Sequence, residues 1–126
     1  MSLSPDWGKT DATIGLHGGT VNGGSTGRKS IVIYFRIEPG KRTGRHTDSA
    51  EEVIYIVEGL VEARVGDERA LLVAGSIVVI PPGVIHDITN AGESPVTAIG
   101  FFSEDRVDSV FEEPLLPRDT DTFSLP

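Results

Sequence analysis

Between residues 30 and 103 the sequence alternates short apolar runs with turns that contain glycine or proline. The runs are rich in Ile, Val, Tyr and Phe, which favour strands. They cover residues 30–37, 52–57, 60–65, 70–73, 77–80, 84–89 and 95–102. No part of this region repeats apolar residues with a period of 3.6 over three turns, which argues against alternating strands and helices. Short strands at such regular spacing are typical of an all-β sandwich or barrel.

The segments that flank this region have a different composition. Residues 18–28 are rich in glycine and predict a flexible loop, preceded by a candidate edge strand at 12–16. Residues 104–113 are acidic and would place Val107, Val110 and Phe111 on one side of a helix, so we predict a short helix and then an extended tail. The predicted organisation is an N-terminal arm with a glycine-rich loop (1–29), a barrel (30–103) and a C-terminal acidic segment with its tail (104–126).

Charge and composition narrow the classes of function. The net charge is −8, and no run of Lys or Arg offsets it, so nucleic-acid binding is not expected. The longest uncharged stretch, 70–85, contains Gly75 and Pro81–Pro82 and is too short to cross a bilayer, so we expect no membrane partner and a cytoplasmic location. The absence of cysteine excludes disulfides, thiolate metal ligands and a cysteine nucleophile.

Three ionisable residues share one face of the predicted strands. His46 and Asp48 are two positions apart, which puts both side chains on the same side of an extended segment. Glu52 begins the next apolar run and has the same parity as Ile54 and Ile56. Charged groups that face a core are costly unless something compensates for their desolvation, and a bound cation does so. The alternative is a strand end at which these side chains are simply solvated.

Two spaced motifs extend this pattern. The first has the spacing G-x5-H-x-D-x3-E-x6-G and comprises Gly40, His46, Asp48, Glu52 and Gly59. The second has the spacing G-x5-P-x-G-x2-H-x3-N and comprises Gly75, Pro81, Gly83, His86 and Asn90. Together they closely resemble the two signature motifs of the cupin family. The second motif matches at every fixed position, whereas the first has Asp48 where the family pattern has its second histidine.

The resemblance implies a double-stranded β-helix, or jelly roll, with a divalent metal ion inside the barrel. Carried over by position, the implied ligands are His46, Glu52 and His86. Asp48 replaces the missing histidine, and it either binds the metal directly or acts through water or by orienting His46. Two carboxylates favour Fe or Mn over Cu, with Ni and Zn as alternatives. A third possibility is a barrel in which the metal site is weak or empty.

Other residues are candidates for the surroundings of the metal. The interior, substrate-binding surface is expected to be apolar and to include Ile54, Ile56, Ile88 and either Phe101 or Phe102. Tyr34 and Arg36 share one face of their strand. If that face points inward, Tyr34 is a candidate acid or hydrogen-bond donor and Arg36 a candidate partner for an anionic substrate; if it points outward, both are ordinary surface residues.

The favoured function is a metal-dependent dioxygenase or isomerase that acts on a small molecule, with Glu52 and Asp48 as candidate bases. The alternative is a non-catalytic module that binds a metabolite or a metal. The His46-x-Asp48 pair with His86 is also similar to the iron site of 2-oxoglutarate oxygenases. Those enzymes need a basic residue soon after the distal histidine, and here the next one is Arg106, beyond the last predicted barrel strand.

The resemblance also implies self-association, since small cupins form dimers through a face of the barrel. Three apolar residues are predicted to point outward from the strand that begins at Glu52, namely Val53, Tyr55 and Val57. We therefore expect a homodimer.

Overall fold

A computed structural model of the chain describes residues 2–3, 16–22, 30–115 and 120–125. These residues form twelve β-strands: β1 (Ser2–Leu3), β2 (Leu16–Asn22), β3 (Ile31–Ile37), β4 (His46–Asp48), β5 (Glu52–Glu58), β6 (Val61–Val65), β7 (Glu68–Leu72), β8 (Ile77–Ile80), β9 (His86–Asn90), β10 (Val96–Phe102), β11 (Val107–Leu115) and β12 (Thr120–Leu125). No helix long and apolar enough to span a membrane occurs in these four segments.

The strands form two six-stranded antiparallel sheets. The order of strands in the first sheet is β1-β2-β3-β10-β5-β8, and in the second it is β12-β11-β4-β9-β6-β7. Strands that are far apart in the chain are therefore neighbours in space, as in a jelly roll. The prediction of an all-β jelly roll is confirmed.

The core lies between the two sheets. Alternate residues of β3 and β5 point inward, so Glu52, Ile54 and Ile56 are buried, whereas Tyr55 and Val57 are exposed. The second sheet covers these residues with apolar side chains from β6, β9 and β11, namely Val61, Ala63, Ile88 and Val107. The parity predicted for the strand that begins at Glu52 is therefore confirmed.

Two predictions for the flanking segments are wrong. Residues 18–22 belong to β2, which pairs with β3, rather than to a flexible loop. Residues 107–113 belong to β11, which pairs with β4 and β12, rather than to a helix. Val107, Ser109 and Phe111 are buried and alternate with exposed residues, which is the period of a strand. The second sheet thus continues beyond the predicted barrel boundary at residue 103. Of the candidate strand at 12–16 only Leu16 is described, as the first residue of β2, and residues 23–28 of the predicted loop lie outside the described residues.

Gly59 closes the turn between β5 and β6 with a positive φ of 102°. A Cβ atom at this position would lie 2.8 Å from Cγ2 of Val96 and 2.9 Å from its Cα. We expect Gly59→Ala to lower the free energy of unfolding by about 2–5 kcal/mol, because it combines an unfavourable φ with overpacking. Urea denaturation would measure this loss.

Gly40 provides the matched control for Gly59. Its φ is also positive, at 78°, but no atom lies within 4 Å of the added Cβ. Gly40→Ala should therefore lower the free energy of unfolding only through the unfavourable positive φ, by about 1–2 kcal/mol. Equal losses in the two variants would show that the contact with Val96 has no effect.

Candidate metal centre

Four ionisable side chains from three strands meet inside one end of the barrel. His46 and Asp48 lie in β4, Glu52 begins β5 and His86 begins β9. Nε2 of His86 is 3.1 Å from Oδ2 of Asp48 and 3.6 Å from Oε1 of Glu52, and Nε2 of His46 is 3.8 Å from the same oxygen of Asp48. The two imidazole rings are 4.1 Å apart between centroids. The four residues that the motifs singled out thus lie side by side.

The backbone fixes which nitrogen of each imidazole faces this cluster. Nδ1 of His46 donates to the carbonyl oxygen of Gly44 over 2.6 Å, and Nδ1 of His86 donates to that of Val84 over 2.9 Å. A carbonyl can only accept, so Nδ1 carries the proton in both neutral rings, and each Nε2 presents a lone pair to the carboxylates. Metal-binding histidines are commonly oriented in this way.

The cluster leaves two buried polar atoms without a hydrogen-bond partner among the described residues, Nε2 of His86 and Oδ2 of Asp48. They are 3.1 Å apart, and in the neutral state of His86 both are acceptors. Either a proton on Nε2 or a cation between the two atoms resolves this repulsion. One donor atom from each of His46, Asp48 and His86 lies within 4.8 Å of the others, so the arrangement suits a metal ion.

Asp48 is oriented by a residue from β11. The hydroxyl of Ser109 donates to Oδ1 of Asp48 over 2.5 Å, which leaves Oδ2 directed at the two histidines. The same strand brings the ring of Phe111 against His46, with 4.3 Å between centroids and 16° between planes. The sequence analysis missed both residues because they fell within the predicted helix. The two-residue alternation of Val107, Ser109 and Phe111 with mostly charged neighbours was the sequence signal for a strand here.

Glu52 occupies a space that Gly100 provides. The strand β10 lies beside β5, and a Cβ atom on Gly100 would overlap Oε2 of Glu52 and come within 2.9 Å of Cγ1 of Ile33. The carboxylate therefore packs directly over the backbone of β10. Only glycine, which lacks a Cβ atom, leaves this space for the carboxylate.

Burial and mutual charge shift the pKa values of the cluster. Burial, followed by the nearby His86, lowers the pKa of His46 to about 4. Burial also raises the pKa of Glu52 to about 7. For His86 burial lowers the pKa, but the adjacent carboxylates of Asp48 and Glu52 outweigh it and raise the pKa to about 10. In the absence of a metal, His86 therefore holds a proton between the two carboxylates.

A second buried carboxylate holds the loop that positions His46. Asp87 follows His86 but lies on the opposite side of β9, where Oδ2 pairs with Arg42 at 2.8 Å. Its other oxygen accepts from the Thr43 hydroxyl at 3.2 Å and from the backbone N–H of Gly44 at 3.1 Å. Since the carbonyl of Gly44 accepts the hydrogen bond from Nδ1 of His46, this network supports the orientation of the His46 ring.

Three residues that the sequence left as candidates for the surroundings lie outside the barrel interior. Tyr34 and Arg36 lie on the outer face of β3, where Tyr34 is 47% exposed and Arg36 pairs with Glu38. Neither can act inside the barrel, because the inward positions of β3 are the odd-numbered ones. Phe101 is also exposed, whereas Phe102 points inward. The other residues predicted for the interior are buried there: Ile54, Ile56 and Ile88.

Comparison with protein families agrees with this geometry. The model of the cupin domain matches residues 33–102, which include all four residues of the cluster. The chain is a cupin. This cupin is 36% identical over 72 residues to the β-alanine degradation protein BauB of Pseudomonas aeruginosa, an alignment that covers 55% of this chain and 76% of that protein.

Solved structures show the same fold at low sequence identity. The oxalate decarboxylase of Bacillus subtilis, a protein with Mn(II) centres, superposes on 86% of this cupin with a TM-score of 0.74 and 17% identity. A putative sugar phosphate isomerase from Acidithiobacillus ferrooxidans covers 74% with a TM-score of 0.56 and 22% identity. The cupin spans 29% of the decarboxylase chain and 65% of the isomerase chain.

We expect Ser109→Ala to weaken metal binding about tenfold, because outer hydrogen bonds of this kind hold a ligand in place. The variant removes the donor to Asp48 and leaves all four candidate ligands intact. Ser103→Ala, at an exposed serine near the end of β10, is the matched control and should not change the affinity. Titration with Mn²⁺ would measure both, and equal affinities would show that Ser109 does not orient Asp48.

Proposed function

We propose that this cupin holds one divalent metal ion through His46, Glu52 and His86, with Asp48 as a fourth direct ligand. The observation that carries the proposal is that one donor atom each of His46, Asp48 and His86 lies within 4.8 Å of the others, with Oε1 of Glu52 at 3.6 Å from Nε2 of His86. Two carboxylates are hard donors and balance a divalent charge, which favours Mn or Fe over Cu, with Ni and Zn as alternatives. The Mn(II) centres of the structurally similar decarboxylase agree with this preference.

We further propose that the centre catalyses a dioxygenase or isomerase reaction on a small molecule. When bound, the metal would supply Lewis acidity or redox chemistry at its open positions. On this proposal the substrate would meet the apolar interior beside the cluster, where Ile54, Ile56 and Ile88 are buried. Glu52 and Asp48 are the candidate bases, because they are the two buried carboxylates beside His86. The alternative is a non-catalytic module that binds a metabolite or a metal.

The first test is elemental mass spectrometry on untagged protein purified without a chelator. We expect about one Fe or Mn per chain, since the cluster provides one set of ligands. Protein that stays free of metal after addition of Fe²⁺, Mn²⁺, Ni²⁺ and Zn²⁺ would contradict the proposal. For the loaded protein, metal-dependent O₂ consumption with catechols, diketones or flavonols would support a dioxygenase, and its absence would favour an isomerase or a binding module.

The affinity for the metal should rise with pH. His86 must lose its proton to bind a metal ion, and the raised pKa of about 10 means that this proton is still present at pH 7. His46 contributes no proton in this range, because its pKa is lowered to about 4. We expect the apparent affinity for Mn²⁺ to increase about hundredfold or more between pH 6 and pH 8, as one or two protons are displaced. Calorimetry in buffers of different ionisation enthalpy would count them, and a pH-independent affinity would contradict the assignment.

We also propose that the outer face of the first sheet forms a homodimer. Two apolar rows cross β3, β10, β5 and β8 on this face, one made of Tyr34, Ile99, Tyr55 and Ile77 and the other of Val32, Phe101, Val53 and Val79. An apolar surface of this kind suits two-fold packing against a second copy. Light scattering would test the proposal, and a monomer at all concentrations would contradict it.

A further inference from the structure

We infer that the metal centre selects uncharged ligands and discriminates against anions. The inference rests on the proposed function, since it concerns the open face of the same metal ion. It follows from the formal charge of the ligand set. Asp48 and Glu52 each bring one negative charge, while the two histidines bind as neutral imidazoles. A divalent ion held by all four is therefore neutral.

Both carboxylates approach the same nitrogen, Nε2 of His86. Oδ1 of Asp48 is engaged by Ser109, so Oδ2 is the oxygen left for the cluster, 3.1 Å from Nε2 of His86. Oε1 of Glu52 approaches that nitrogen at 3.6 Å from the other sheet. Neither carboxylate can turn away to water, because Asp48 is 5% and Glu52 3% exposed. Both charges therefore act on whatever the metal binds.

Nearby positive charge does not reverse this balance. The two arginines between β3 and β4 are each matched by a carboxylate. Arg42 pairs with Asp87 at 2.8 Å on the far side of β9, and Arg45 pairs with Glu112 at 3.0 Å near the surface. The buried side chains of Ile33, Ile54 and Ile80 in the adjoining core are apolar and add no charge to the cluster.

An anion that binds such a centre turns a neutral buried complex into a negatively charged one. In a low-dielectric interior an uncompensated charge is costly, whereas an uncharged donor leaves the complex neutral. With a histidine at position 48 the same complex would start at +1 and become neutral on binding an anion. Asp48 thus favours ligands with an uncharged oxygen or nitrogen donor, such as a carbonyl or hydroxyl compound. A ligand that coordinates through a carboxylate is disfavoured.

The test uses the full-length protein loaded with Co²⁺, whose visible absorption reports ligand binding at the metal. The wild type, Asp48→Asn and Asp48→His are titrated with azide as the anionic probe and with imidazole as the neutral one. Removal of one buried negative charge a few ångströms from the probe should tighten azide binding about tenfold or more. Imidazole binding should change less than about threefold, since it carries no charge. The cobalt content of each variant is measured by elemental mass spectrometry, so each affinity refers to bound metal.

Glu52→Gln serves as an independent variant, because it removes the other charge and should also tighten azide binding. Unchanged or weaker azide binding in the variants would overturn the inference. Azide binding that is tighter than imidazole binding in the wild type would overturn it without any variant. A wild type that takes up no Co²⁺ would overturn the proposed metal centre itself, and this outcome is distinct from a loaded centre that binds anions freely.

Discussion

Replacing His86 with alanine is expected to abolish stoichiometric metal binding. Nε2 of His86 lies within 3.6 Å of both buried carboxylates and is the atom around which the cluster is arranged. No other group among the described residues can replace it, because β9 presents Asp87 to the opposite side and Ile88 to the core. We expect the affinity for Mn²⁺ to fall by at least about a hundredfold, more than the loss of an outer hydrogen bond causes.

His17→Ala is the matched control for this experiment. It also replaces a histidine with alanine, but His17 lies in β2 opposite Arg36 of β3, away from the ends of β4, β5 and β9. The control should bind metal as the wild type does, and circular dichroism would confirm that both variants are folded. Retention of one metal per chain in His86→Ala would refute the centre proposed here.

Gly100→Ala should have the second large effect, on both stability and metal affinity. The added Cβ overlaps Oε2 of Glu52 and approaches Cγ1 of Ile33, and neither group can retreat easily, because both are buried. We expect a loss of about 1–3 kcal/mol in the free energy of unfolding from overpacking. Displacement of the Glu52 carboxylate should weaken metal binding about tenfold or more, in line with other changes that shift a ligand.

A double-mutant cycle with Glu52→Ala identifies the source of the effect. If the clash with the carboxylate dominates, Gly100→Ala should cost much less when Glu52 is already alanine. Chemical denaturation of the four metal-free proteins would give the coupling energy. Additive losses would show that the contact with Ile33, rather than the one with Glu52, accounts for the destabilisation.

The strands and the four-residue cluster could be predicted because each depends on a local pattern. The apolar runs between residues 30 and 102 match the observed strands to within a few residues. The parity of Glu52 with Ile54 and Ile56 was predictable from the two-residue period of a strand, and the opposite face carries the exposed Tyr55 and Val57. The spacing of the two motifs identified His46, Asp48, Glu52 and His86, all of which meet in the structure.

The errors arose where local patterns are ambiguous. Both faces of β3 are largely apolar, so alternation alone could not tell whether Tyr34 or Phe35 points inward. Phe101 and Phe102 are adjacent, and their assignment depends on the register of β10 with β5. In β11 the buried Ser109 interrupts the apolar alternation, and Val107, Val110 and Phe111 imitate a helical face. Each choice depends on pairing with a distant strand, which a local window does not contain.

The position of β11 has a consequence for the order in which the molecule matures. One of its two partners in the sheet is β4, about sixty residues earlier in the chain, and this pairing brings Ser109 to Asp48 and Phe111 to His46. During synthesis the first motif emerges long before these two residues do, and contacts of such long range form late. The nascent chain therefore contains His46 and Asp48 before it contains Ser109 and Phe111, the residues that orient them. Acquisition of the metal should accompany the final closure of the barrel.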